Sequence, residues 1–186
     1  IEDKTDLQTV IQKLTDKEPA VRQTAALRIA NAQYQDGKTL ITALFNPDRH
    51  LREAIFSLIR ELQIKDIDLY RFARDHLEGA YKYMAEYEAV SRLEETPHRD
   101  LLLSHLYHQG RMLVVNVLRV LDITDRSGRL GITRKGLMSA DHRQRANSQE
   151  ALNDIIDHRL ARILLPLLDE GNHSQALLKA RRYFKL

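Results

Sequence analysis

Eight histidines stand in the 186-residue chain, and imidazole both ligates transition metals and moves protons near neutral pH. His105 and His108 are three apart, so a helix would carry both on one face, and His98 precedes them by about two turns. A zinc or iron centre needs a third and fourth ligand from facing elements, and no HExxH or comparable spacing offers them. These histidines therefore read as a polar helix face, with no metal and no cofactor expected. Glu78, Glu86, Glu88, Glu94 and Glu95 fall at the spacings of a solvated surface. Ser127-Gly128-Arg129-Leu130-Gly131 contains a GxxG, yet no strand precedes it and no phosphate-loop lysine follows, so it reads as a turn. With no GxSxG elbow or other nucleophile motif, covalent catalysis has no candidate.

Lys179, Arg181, Arg182 and Lys185, interleaved with Tyr183 and Phe184, form the densest basic cluster. On a helix, positions 178, 181, 182 and 185 share an edge, which suits contact with a membrane surface or a partner. The plainer alternative is a solvated last helix whose charge complements its own C-terminal dipole. The balance is uneven along the chain: residues 126–186 hold 12 Lys or Arg against 6 Asp or Glu, a surplus of six positive charges within a net charge of +3. Only moderate basicity, no Trp and few aromatics beside the basic residues argue against nucleic acid as the partner.

Three arginines recur in one setting. Leu14, Asp16, Arg22 and Ile29 are matched by Leu44, Asn46, Arg52 and Ile59, and again by Leu137, Ser139, Arg145 and Leu152. Asp16, Asn46 and Ser139 are read as helix caps, and Pro19 and Pro47 suit a first helical turn. The Leu and the Ile or Leu belong to buried faces, and each arginine takes a structural role, bonding an acidic or backbone group of a neighbouring turn. The cap intervals are 30 and 93 residues, the second about three times the first.

The elements that position these residues are helices. Glycine and proline are scarce, at 7 and 4, and cysteine is absent, which removes disulfides, thiolate zinc sites and cysteine nucleophiles. Helices are expected over 5–14, 17–33 (closed by an Asp36-Gly37 turn), 40–45 and 51–62. Between Ile67 and Glu95 helical spacing continues for about 28 residues. A Thr96-Pro97 break leads to a second long helix through Leu121, with Gly110 its weak point. Short helices follow at 130–137, from Ser139, over 159–168 with Pro166 ending or kinking it, and over 174–184. The expected architecture is an all-α chain of one domain, 1–186, with two repeats in 1–63, a long antiparallel hairpin in 66–122 and two repeats in 128–186. No apolar run reaches the length of a membrane span, and no signal peptide is visible. A first residue of Ile suggests a fragment of something longer.

The repeated arginines, with Val21-Arg22 and Ala25-Ala26, Leu51-Arg52 and Ala54, and Arg145 with Ala151-Leu152, resemble HEAT-like repeats. That resemblance implies an α-α superhelix, or solenoid, in which neighbouring helix pairs cover one another's apolar faces. Leu101-Leu102-Leu103, Leu106-Tyr107, Gly136-Leu137, Ser139-Ala140-Asp141, residues 145–153 and residues 159–169 further resemble the C-terminal repeats of bacterial membrane proteins related to ATP/ADP translocases and major-facilitator transporters. The implied function is a non-catalytic interaction or regulatory domain, cytoplasmic and tethered through its parent. Its partner would be another protein or another domain of the same chain. The alternative is a HEAT-like nucleic-acid-binding protein or DNA glycosylase-type enzyme, whose working carboxylate would be Asp141, Asp154 or Asp157.

Overall fold

Helices start in this chain where a short polar side chain can take up the N–H groups that a first turn leaves over. Asp48 accepts from the amides of His50 (2.8 Å) and Leu51 (3.4 Å), and Thr96 from that of Arg99 (3.2 Å). Asp141 accepts from Arg143 (2.8 Å) and Gln144 (3.3 Å), and Asp157 from Arg159 (2.8 Å). The computed structural model describes residues 9–31, 37–46, 48–62, 68–125, 127–169 and 173–186. All regular structure among these residues is helical, so the protein is all-α.

The chain divides into two compact units, Ile1–Asp68 and Leu69–Leu186. In the first, α1 (residues 9–12) runs into a 3-10 turn at Lys13–Thr15, followed by α2 (Pro19–Asn31), α3 (Gly37–Ala43) and α4 (Arg49–Glu61). The 3-10 turn packs on α2 and α4, and α3 on α4. Leu51, Ile55, Leu58 and Ile59 follow helical spacing along α4 and are buried, together with Phe56, Leu40, Leu44 and Ile29.

The second unit is built on α5 (Leu69–Ser91) and α6 (Pro97–Thr124), which pack on one another. Small residues permit the approach: a Cβ added to Gly79 would stand 2.9 Å from Leu113 Cδ1. Then come α7 (Arg129–Leu137), α8 (His142–Ile155), α9 (His158–Leu164), a 3-10 turn at Leu165–Leu167 and α10 (His173–Ala180). Gly136 lets α7 meet α8, since any side chain there would collide with Ser148. Tyr81 fastens α5 to α9: its hydroxyl donates to the carbonyl of Ile163 at 2.9 Å while its ring is buried. Desolvation raises its pKa above the usual phenol value, so it stays a donor.

Several boundaries differ from expectation. The caps are not Asp16, Asn46 and Ser139. Those residues stand two positions before the residue that precedes the helix, and each side chain accepts that residue's N–H: Glu18 (3.2 Å), Asp48 (2.8 Å) and Asp141 (3.2 Å). A short polar side chain bonding two residues on makes a turn rather than a cap, and the acidic residue after it takes the cap position in α4 and α8. Gly37 opens α3 instead of ending a turn. Helix α5 stops at Ser91, four residues short, because the amides of Arg92 and Leu93 turn to the tighter i−3 carbonyls of Ala89 and Val90. At Pro166, which lacks an N–H, α9 gives way to the 3-10 turn. The last helix ends at Ala180 rather than Phe184. Leu7, Ala32, Asp36, Pro47, Asp66, Ile67, Arg126 and residues 170–172 lie outside the described residues.

Two predictions follow from these bonds. Arg145 donates to the carbonyls of Ser139 (2.9 Å) and Ala140 (2.8 Å) from a half-buried position, so Arg145→Ala should cost about 2 kcal/mol and lower Tm by about 4–8 °C. A melting curve by circular dichroism that shifts by less than a degree would refute the clamp. His76 is fully buried on α5, with Nδ1 donating to the carbonyl of Phe72 at 3.1 Å. Burial lowers its pKa from 6.5 to about 4. The unfolded chain therefore takes up a proton near pH 6.5 that the folded chain resists, and stability falls by about 3 kcal/mol as pH drops from 6.5 to 4. Asp16, Asp125 and Asp157, whose pKa values are lowered from 3.8, lose their contributions only below that window. Urea denaturation at several pH values should show the slope in the native chain and a flatter one in His76→Leu; equal slopes would remove His76 as the cause.

Candidate functional site

A concave feature of the second unit follows from the way α5 and α6 approach. Gly110, with its missing side chain toward Tyr83 and Ala80, brings the helices together, and beside that contact the larger side chains line a cleft that is open to solvent and holds about 50 Å³ of accessible space. Tyr83, Met84 and Tyr87 line it from α5, and Leu106, Tyr107, Arg111 and Val114 from α6. Leu167, Asp169 and His173 form the far wall. The lining has the mixture of apolar walls and a few polar groups common in small-molecule sites.

The polar groups divide into a satisfied set and one that stands apart. His173 Nδ1 is 3.7 Å from Glu88 Oε1, Ser174 Oγ donates to Glu88 Oε2 at 3.4 Å, and the ring of His173 meets that of Tyr87 edge-on at 5.7 Å. Glu88 therefore ties α5 to α10, a task its place among scattered surface carboxylates does not disclose. Arg111 is half-buried, and its hydrogen bond is Nη2 to Met138 Sδ at 3.6 Å, with no ion pair to a carboxylate among the described residues.

The residues expected to carry a site are elsewhere. Lys179, Arg181, Arg182 and Lys185 are all exposed, but the helical edge they were to share does not form. Beyond Ala180 the amides of Arg182 and Tyr183 bond to Lys179 and Ala180 in a tight turn. Phe184, expected among the basic groups, is only 5% exposed. It packs 5.7 Å from the Tyr81 ring, with the guanidinium of Arg74 5.9 Å from its centroid. His98, His105 and His108 are exposed, and no group of three or more His, Asp or Glu converges among the described residues. In the GxxG segment, the Asp125 carboxylate already accepts from the amides of Ser127 (2.9 Å) and Leu130 (2.9 Å) and from the Ser127 hydroxyl (2.7 Å). The Leu130 amide is the main reason its pKa lies below the usual carboxylate value. An anion in that loop would have to displace one built into the chain. Asp141 and Asp157 are spent as caps, and Asp157 also receives Arg159 Nε at 3.2 Å. Asp154 lies exposed on α8.

The repeated arginines share one geometry. Arg22 Nη1 donates to the carbonyls of Asp16 (2.8 Å) and Lys17 (3.0 Å), Arg52 Nη1 to that of Asn46 (2.8 Å), and Arg145 as described. In each case the acceptor six residues back carries the turn-forming side chain. A fourth arginine does the same and escapes the sequence pattern: Arg99 Nη1 donates to the carbonyl of Leu93 at 2.9 Å. It divides the 93-residue interval between Arg52 and Arg145 into steps of 47 and 46. Pro97 after Thr96, with an Arg two residues on, is the signal that could have disclosed it.

No protein-family model, curated protein or solved structure matches this chain in comparison.

Gly110 yields a stability prediction. A Cβ there would meet Tyr83 Cβ at 3.4 Å and Ala80 O at 3.5 Å, which is ordinary contact. Gly110→Ala should therefore raise stability by about 0.5–1 kcal/mol through helix propensity while narrowing the cleft. The denaturation midpoint in urea reads this directly, and a lowered midpoint would mean the helices are closer than described.

Proposed function

We propose that the chain is a non-catalytic helical-repeat module that docks a protein partner or another domain of its own parent. The observation that supports this most is the recurrence of one local unit. In each of its three expected positions a buried Leu (14, 44, 137) stands eight residues before a clamped arginine, and a buried Ile or Leu (29, 59, 152) stands seven residues after it. Units that repeat a turn, a clamp and a buried stripe are how solenoids are assembled, and steps of 30, 47 and 46 residues between clamps fall near the lengths of helical repeats. On this reading the helices form a HEAT-like α-α superhelix. The α5–α6 pair is then its long antiparallel hairpin, consistent with Gly79 meeting Leu113 while Gly110 meets Tyr83 and Ala80.

Docking rather than catalysis is also the use that suits the surface. Leu101 and Leu102 on α6 are 71% and 44% exposed, and Leu93 before it is 61% exposed, a concentration of apolar side chains of the kind that marks contact sites. No helix of the described residues is long and apolar enough to cross a membrane. In the resemblance to transporter-linked repeats this chain takes the part of the cytoplasmic domain, and the exposed Lys179, Arg181, Arg182 and Lys185 are its candidates for contact with the membrane surface. The glycosylase-type alternative is weaker, since two of its three carboxylates are committed to helix caps.

Two measurements on the purified chain test the reading together. Small-angle scattering should give a radius of gyration well above the roughly 16 Å of a globule of this length. Fluorescence anisotropy with duplex DNA should show no saturable binding at physiological salt. A radius near the globular value would sink the solenoid, and tight, salt-sensitive DNA binding would favour the alternative.

A further inference from the structure

We propose that the α5–α6 cleft is a binding site for a small monocarboxylic acid, held through Arg111 with its apolar part lying along the open tyrosine-lined wall. The argument begins with the cost of Arg111. It stands half-buried in the wall of an apolar cleft, and its one hydrogen bond among the described residues is to the weakly accepting sulfur of Met138 at 3.6 Å. A guanidinium that loses part of its water without gaining a carboxylate is destabilising, and its donors are left to an incoming anion. Every other arginine clamp described above is answered by a peptide carbonyl, so Arg111 is different in kind from the structural arginines.

The shape and charge of the walls narrow the class of ligand. The guanidinium fork matches the two oxygens of a carboxylate. Tyr83, Met84, Tyr87 and Tyr107 supply flat and deformable apolar surface for the rest of the molecule. The three tyrosine hydroxyls bond to no protein group among the described residues, so they remain available as further donors. Asp169 lies in the wall as well, and its negative charge raises the cost of a second charge on the ligand, which selects a monocarboxylate over a phosphate. His173 faces Glu88 and Tyr87, and it closes the cleft without competing for the carboxylate. This site is independent of the docking surface proposed above, because it needs neither the repeat architecture nor a protein partner.

Titration calorimetry with phenylacetate, and with phenylacetamide as its uncharged equivalent, tests the proposal on the native chain. Phenylacetate should bind once per chain with Kd below roughly 1 mM, and the amide about tenfold or more weaker. Arg111→Met should lose about tenfold in phenylacetate affinity with its melting temperature unlowered or raised, while Arg111→Lys keeps part of the affinity. Amide-proton NMR shifts on addition of phenylacetate should cluster at residues 83–87 and 107–111. Equal binding of acid and amide, no binding of either, or shifts located outside the cleft would each overturn the assignment, and none of these outcomes depends on a variant folding.

Discussion

A guanidinium that reaches back six residues to a peptide carbonyl fixes the direction in which the chain enters a helix. The carbonyl at that position lies in a turn, where no helical partner exists for it, and a buried or half-buried carbonyl without a donor is costly. Arg22, Arg52, Arg99 and Arg145 supply the donor at 2.8–2.9 Å from the far end of a long side chain. The consequence is geometric: the turn is held against the first two turns of the helix it introduces. The Leu eight residues before the arginine and the Ile or Leu seven after it are both buried in three of these units: Leu14 and Ile29, Leu44 and Ile59, Leu137 and Leu152. At Arg22 and Arg145 a single Nη1 is held on two successive carbonyls by a rigid, planar group, whereas a lysine would bring a mobile ammonium on a flexible stem.

Where the clamp sets direction, glycine sets distance. Gly79, Gly110 and Gly136 each sit where a neighbouring helix comes within contact of the missing side chain. Gly110 reads in the sequence as a weak point of a long helix, since helix propensity is all that a sequence offers at such a position. Its role emerges only when Tyr83 is seen against it. The same contact explains the cleft, because bulky Tyr83, Tyr87 and Tyr107 crowd the space beside a place of closest approach.

The repeated arginines and the buried stripe are legible in the sequence, since both depend on spacing within one helix and the turn before it. The caps are misread by two residues for a physical reason: Asp, Asn and Ser serve equally well as turn formers and as caps, and in Asn46-Pro47-Asp48 and Ser139-Ala140-Asp141 both roles occur in sequence. Arg99 is missed because Leu93 fills the place of the turn-forming side chain and Thr96 caps one residue later than its counterparts do. The cleft is not legible at all. Its walls are drawn from positions between Ala80 and His173, and nothing local relates Arg111 to Asp169 or Glu88 to His173.

The basic C-terminal segment illustrates how packing overrides a helical-wheel argument. An amphipathic helix through Phe184 would leave that ring to share an edge with Arg181 and Arg182. Burial of a phenylalanine side chain is worth about 2–3 kcal/mol, more than the one or two further helical bonds that continuing the helix would provide. The chain therefore tightens after Ala180, with the amide of Phe184 still bonded to the Ala180 carbonyl at 2.9 Å, and delivers the ring to Tyr81. Tyr81 is in turn held by Ile163, so the last residues, α5 and α9 are joined through one aromatic contact and one hydrogen bond. What remains outside is charge with one of its two aromatic companions, Tyr183. Lys179, Arg181, Arg182 and Lys185 thus keep an electrostatic attraction for an acidic surface and lose most of the apolar grip an inserting helix needs, with Leu178 and Tyr183 the large apolar side chains left exposed among them.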